Sequence, residues 1–320
     1  MKVLPNILVA LLSSSIFAPS SAAAAAAVVA KKEEDSGKPA VADIINGTPT
    51  GKALPYQVLL SAGLDYLPGC GGSLIAPRVV LTAAHCYVDE NGSLRNEFNT
   101  VGANRYDIAN PAGAISTTLS YVQKDVDIIP HPNFNHTTAQ NDVALVFLPG
   151  GLEEGDNIKY AKLNKDPNVP AADERLYVSG WGVTEEGGSE SDVLLGTVVN
   201  SVPNDECCKM LFDVECDSLP FSPDGMMCAY TEGTDVCNGD SGGPLVIASK
   251  TETAPATQSP LQVGIVSHGP CARKDSPAVY TRVSSYVDWI EETACATAGE
   301  LCPSSKSSKS SKSSKIQKPV

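Results

Sequence analysis

Aromatic residues are scarce in this chain of 320 residues, at 6%, and no uninterrupted apolar stretch approaches the length of a bilayer-spanning helix, about 20 residues. No membrane span is expected. Positive charge is also in deficit: 23 Lys and Arg stand against 37 Asp and Glu, a formal net charge of −14. Nucleic acid and anionic membranes need a basic surface, so neither is expected as a main partner. The ten cysteines include no C-x-x-C pair. That argues against a zinc site or a thioredoxin-like redox motif and for disulfides formed in an oxidising compartment. Histidine occurs only four times, which confines imidazole chemistry to His85, His131, His136 and His268.

At the N-terminus, Lys2 precedes an apolar run, Ile7 to Leu12, and then small residues from Ser13 to Ala27. This is the pattern of a secretory signal, read here as residues 1–22, and a secreted, extracellular protein is expected. Residues 23–43 contain the charged, turn-rich Lys31 to Pro39 and are read as a propeptide that builds no core. Three sequons, at Asn46, Asn91 and Asn135, would be open to glycosylation in a secretory route. Beyond Cys302 the chain turns into a Ser/Lys repeat with no apolar face, and residues 297–320 are read as a disordered tail.

The remaining segment, 44–296, is long enough for one large domain or two small ones. Its apolar runs are short: Tyr56 to Leu60, Arg78 to Leu81, Val143 to Leu148, Leu176 to Val178. Gly, Pro, Asn and Asp separate them, which predicts an all-β, antiparallel protein. A helical period comes only near the end, at Tyr286, Val287, Trp289 and Ile290, with Ser285 and Asp288 spaced as a capping pair.

Chemistry concentrates at three places. Ser241 lies in Cys237-Asn238-Gly239-Asp240-Ser241-Gly242-Gly243-Pro244. A serine hydroxyl needs a base to become a nucleophile, and the oxyanion it generates needs donors in waiting. The glycines allow the backbone N–H groups of 239 and 241 to converge on one point, an oxyanion hole. His85, in Thr82-Ala83-Ala84-His85-Cys86, follows an apolar strand and adjoins a cysteine, whereas His131 and His136 lie among loop residues. An imidazole can shuttle the serine proton if a carboxylate fixes its tautomer. Asp142, at the mouth of an apolar strand, is costly to bury without such a partner. Alone it would read as a strand-start turn residue.

With these residues in place the sequence resembles the chymotrypsin/trypsin family of serine proteases, in which a triad runs His, Asp, Ser along the chain. The likeness extends through Ile44-Ile45-Asn46-Gly47, Leu54 to Val58, Cys70 to Ile75, Ser179-Gly180-Trp181-Gly182 and Pro277 to Val283. It implies two six-stranded β-barrels with the active site between them, and hydrolysis of protein or peptide substrates by His85, Asp142 and Ser241. No cofactor or metal is called for. The resemblance further implies that an activating protease frees the amine of Ile44, which pairs with Asp240. It places Ser267-His268-Gly269 along the substrate backbone, although the family usually carries Trp where His268 stands. The disulfides it implies are Cys70–Cys86, Cys208–Cys228 and Cys237–Cys271, leaving Cys207, Cys216, Cys295 and Cys302 without an assigned pairing.

By the same resemblance, Asp235 forms the floor of a pocket for Lys or Arg. Ala278 stands on the pocket wall where glycine is usual, facing Gly269. The residue before Ile44 is Asp43, so a trypsin-like activator would find no basic residue to cut after. The rival reading is a catalytically silent homologue that uses the fold to bind a partner.

Overall fold

The valine-, leucine- and isoleucine-rich runs are strands in the computed structural model of the chain, which describes residues 44, 47–62, 68–95, 98–110, 115–118, 128–184, 188–212, 222, 224–249, 259–269, 271 and 276–303. The predicted signal, the whole of the propeptide and most of the Ser/Lys tail lie outside these residues.

After a two-residue β1 (Thr48–Pro49), the first half contributes β2 (Gln57–Ser61), β3 (Pro68–Ala76), β4 (Val79–Thr82), β5 (Thr100–Ala103), β6 (Ile115–Thr118), β7 (Ile128–Pro130) and β8 (Ala144–Phe147). These seven strands form one antiparallel sheet in the order β6-β5-β2-β3-β4-β8-β7. The second half contributes β9 (Lys162–Leu163), β10 (Arg175–Gly180), β11 (Leu195–Val202), α1 (Asn204–Phe212), β12 (Met226–Tyr230), β13 (Pro244–Ile247), β14 (Leu261–His268) and β15 (Ala278–Arg282). Strands β10, β13, β14, β15, β12 and β11 pair in a ring, because β11 meets both β10 and β12, and the ring is a closed six-stranded barrel. Closure removes the free strand edges that would otherwise invite aggregation. β1 and β9 pair with β11 and β14 outside the ring. The all-β expectation with a C-terminal helix therefore holds, with one barrel closed and the first-half strands in a seven-stranded sheet.

The C-terminal helix is α2 (Val287–Ala298), which buries Val287, Ile290 and Ala294 in the core cluster of the first-half sheet. The expected capping pair does not form. Ser285 lies in a preceding 3₁₀ turn, Val283–Ser285, and its hydroxyl donates to the Asp224 carbonyl, while Tyr286 occupies the cap position without a side-chain bond. Gly299 ends the helix in the left-handed conformation, φ 71°, as helix C-termini commonly do. The boundary drawn at 296 is therefore too early: the helix continues to Ala298, and Cys302 bridges back to Cys295.

A polar seam joins the two halves. The Ser179 hydroxyl donates to Gln57 Oε1 at 2.8 Å, Gln57 Nε2 donates to the Ser179 carbonyl at 3.2 Å, and the Ser73 hydroxyl donates to Gln262 Oε1 at 2.7 Å. All four residues are buried, so each unmade bond would cost about 1–3 kcal/mol. Such bonds fix how one half sits against the other. The candidate site lies on this seam.

Candidate active site

His85 sits in a single 3₁₀ turn, Ala84–Cys86, immediately after β4. The Cys70–Cys86 disulfide ties that turn to β3, as the family resemblance implied. Asp142 is delivered by a different device. Asn141 adopts φ 59°, a left-handed conformation that asparagine tolerates better than most residues. Its side chain is held at both ends, donating to the Asn133 carbonyl at 2.8 Å and accepting from the Tyr286 hydroxyl at 3.2 Å.

The turn places the Asp142 carboxylate, 0% exposed, against His85. His85 Nδ1 lies 2.7 Å from Asp142 Oδ2, and the His85 backbone N–H donates to Oδ1 at 2.9 Å. Two further partners escaped the sequence reading. The Ser267 hydroxyl donates to Asp142 Oδ2 at 2.6 Å, and the Thr281 hydroxyl donates to the Asp142 carbonyl at 2.7 Å. The family resemblance assigns Ser267 to substrate alignment alone. No spacing rule links positions 142, 267 and 281; β14 and β15 bring them together.

Burial alone would push the Asp142 pKa up, but the His85 charge and the hydrogen bonds from His85 and Ser267 outweigh it, and the carboxyl is held below its ordinary value. Burial likewise pulls His85 down, yet the Asp142 charge and hydrogen bond raise its pKa above the usual histidine value. Nδ1 is engaged with the carboxylate, and Nε2 lies 4.0 Å from Cys86 Sγ, on a side chain that borders the cleft.

Ser241 stands on the turn before β13. The Gly71 N–H donates to the Ser241 carbonyl at 2.7 Å, Gly242 N–H to Val266 O at 2.8 Å and Gly243 N–H to Asp240 O at 3.0 Å. Gly242 must be glycine: its φ is 78°, and a Cβ there would meet Thr82 Oγ1 at 2.1 Å and the Gly71 carbonyl at 2.6 Å. Gly239 has φ 97°. While the N–H groups of 240, 242 and 243 are bonded, those of Gly239 and Ser241 donate to no protein group among the described residues. Two unspent donors remain, the serine's own N–H and that of Gly239 two residues before it.

Asp240 is wholly buried; its carboxylate accepts from Gly182 N–H at 2.9 Å and Cys237 N–H at 3.0 Å. Burial pushes its pKa up to about 7 despite those donors. Ile44 is also fully buried.

His85, Asp142, Ser241, Ser267, His268 and Gly269 all border one cavity of about 630 Å³. Phe134, His136 and Ala139 from the 131–141 loop and Leu211 from α1 also line it. Val236 and Val279 line it beside Gly269. Asp235 is 5% exposed and Ala278 1% exposed, each one residue from a lining position. A Cβ on Gly269 would lie 3.2 Å from Ala278 Cβ, so the two walls face each other closely. The Cys237–Cys271 bridge forms, again as the resemblance implied.

One implied disulfide is wrong. Cys228 on β12 pairs with Cys207, not Cys208. The two cysteines are consecutive on α1 and therefore point about 100° apart, and it is Cys207 that meets β12. Cys208 is itself disulfide-bonded. Cysteine counting cannot distinguish neighbours on a helix that the sequence reading had not placed.

A serine, an imidazole and a buried carboxylate at one cleft, beside two unspent backbone donors, are the working parts of a serine hydrolase. The Trypsin family model matches residues 44–290, which is most of the chain, and the protein belongs to the trypsin family of serine endopeptidases. Relatives include a trypsin of Sus scrofa, 35% identical over 79% of this chain and 96% of its own length. The clotting factor G beta subunit of Tachypleus tridentatus is 34% identical over 80% of this chain and 81% of its own. A vitellin-degrading protease of Bombyx mori is 33% identical over 74% of this chain and 80% of its own.

Proposed function

We propose that the chain is a secreted, catalytically competent endopeptidase that cleaves after Lys or Arg through an acyl-enzyme. The observation that carries competence is the Asp142–His85 pair at 2.7 Å, bordering the same cavity as Ser241. The Ser241 hydroxyl adds to the substrate carbonyl while His85 takes its proton. The Gly239 and Ser241 N–H groups receive the oxyanion. His85 then protonates the departing amine, and a water repeats the sequence in reverse on the ester. Asp142 holds the imidazole tautomer and stabilises the imidazolium without taking the proton.

This scheme requires His85 neutral in the free enzyme. Because Asp142 raises the His85 pKa, kcat/KM is expected to fall on the acid side with a midpoint above the ordinary histidine value of about 6.5. A pH–rate profile on a small ester or amide substrate checks this. An acid limb well below that value would contradict the coupling.

Asp235 as the pocket floor supports basic selectivity, since a buried carboxylate favours a cationic side chain and penalises an apolar one. The methyl of Ala278 narrows the same slot. Ala278→Gly is therefore expected to raise the Arg-to-Lys ratio of kcat/KM, by about fivefold for one methyl. Matched Arg and Lys substrates measure it, and an unchanged ratio would remove Ala278 from the wall.

Activation is read from Asp240. A wholly buried carboxylate with a pKa pushed up to about 7 and two N–H donors is short of positive charge. A raised carboxyl pKa costs stability as pH climbs from its unfolded value, about 4, towards 7, so the uncleaved chain is penalised at neutral pH. The ammonium of Ile44, freed by cleavage after Asp43, would supply the missing charge. N-terminal sequencing of the mature protein is expected to begin at Ile44, and activity is expected only after that cut. Full activity in the uncleaved chain would contradict it.

A further inference from the structure

His268 is used by none of the steps above, yet it borders the same cavity as His85 and Ser241. A register shift between Val266 and His268 marks a bulge in the β14–β15 ladder, a device that re-aims side chains, and His268 is exposed where Val266 and Ser267 are buried. Its Nδ1 lies 3.2 Å from the Ser267 hydroxyl oxygen. That hydroxyl has one proton and donates it to Asp142 Oδ2 at 2.6 Å. The contact with His268 must therefore run the other way, with Nδ1–H donating to Ser267 Oγ. The tautomer is fixed, and Nε2, on the opposite edge of the ring, is left with its lone pair.

Resting on the endopeptidase reading, we propose that His268 is a pH-switched specificity residue for a substrate side chain that enters the cavity it shares with His85 and Ser241. While neutral, its Nε2 accepts a hydrogen bond from an amide or hydroxyl side chain. Once protonated, both ring nitrogens donate, and the ring takes a carboxylate instead. The charged and titratable groups around it are Asp142, held by the same Ser267 hydroxyl, His85, and His136, which lines the same cavity. Among the described residues Asp142 is the only carboxylate that lines the cavity, and it is already engaged by His85 and Ser267, while Asp235 lies one residue from the lining Val236. Burial of the inner edge lowers the His268 pKa and the nearby His85 lowers it further, against the pull of Asp142. The cationic form therefore belongs to the acid side of pH 6.5.

The test uses isosteric substrates carrying Gln or Glu in turn at each of the three residues on either side of the cleaved Lys or Arg. The Glu-to-Gln ratio of kcat/KM is measured at about pH 5.5 and 8; both substrates use the same triad, so titration of His85 cancels. At one position the ratio is expected to rise about tenfold on acidification in the wild-type matured enzyme. It is expected to stay flat in His268→Phe, and also in His268→Asn, which keeps a donor near Ser267 but cannot titrate. A flat ratio in the wild type at all positions, or an unchanged rise in both variants, would overturn the proposal. Active-site titration with a serine phosphonylating reagent runs alongside: uptake with a flat ratio overturns the His268 assignment alone, and no uptake overturns the endopeptidase reading with it.

Discussion

Ser241→Ala and His85→Ala are each expected to lower peptide-ester and amide hydrolysis by about 10⁴-fold or more while the protein stays folded. The two losses should not add, since either change disables the same proton transfer. The fold should survive because Ser241 is only partly buried and its hydroxyl packs into no core cluster, and because the His85 turn remains pinned by Cys70–Cys86. Asp142→Asn should cost several powers of ten for another reason. An amide at 2.7 Å from His85 Nδ1 can donate as well as accept, and it removes the charge that raises the His85 pKa. Asp142 also holds Ser267, so this variant should lose some stability, read as a lower Tm. Far-ultraviolet circular dichroism beside the kinetics separates lost chemistry from lost fold. Near-wild-type turnover in Ser241→Ala or His85→Ala would reject the assignment.

Asp235→Ser should reduce kcat/KM after Lys and Arg by orders of magnitude, with cleavage after apolar residues surviving or rising. A cationic side chain inserted beside a residue only 5% exposed loses its charge partner with no water to replace it. The rates must come from matured enzyme. A wild-type protein that ignores Lys and Arg and prefers Phe or Leu would reject the pocket assignment and leave the hydrolase reading untouched.

What was legible in the sequence follows from what is local. Ser241 and its glycines, and His85 beside Cys86, carry their chemistry within a few residues, so a linear reading finds them. The strands were legible because their runs are bounded by turn formers. The partners of Asp142 were not: Ser267 and Thr281 reach it from β14 and β15, 125 and 139 residues away along the chain. The Cys228 partner was misread because α1 is short and carries no extended apolar period, and without that helix the choice between Cys207 and Cys208 rests on resemblance alone. Helix α2 was found by its apolar spacing but given the wrong cap, since the chain enters it through a 3₁₀ turn that periodicity does not register.

The central claim is that Ser241 is an activated nucleophile in this chain. Matured protein treated with a fluorophosphonate and mapped by peptide mass spectrometry tests it most directly. The account predicts stoichiometric labelling at Ser241, with rate falling as His85 is protonated and abolished in His85→Ala. No labelling of matured protein, or labelling at another serine with Ser241 unmodified, would contradict it.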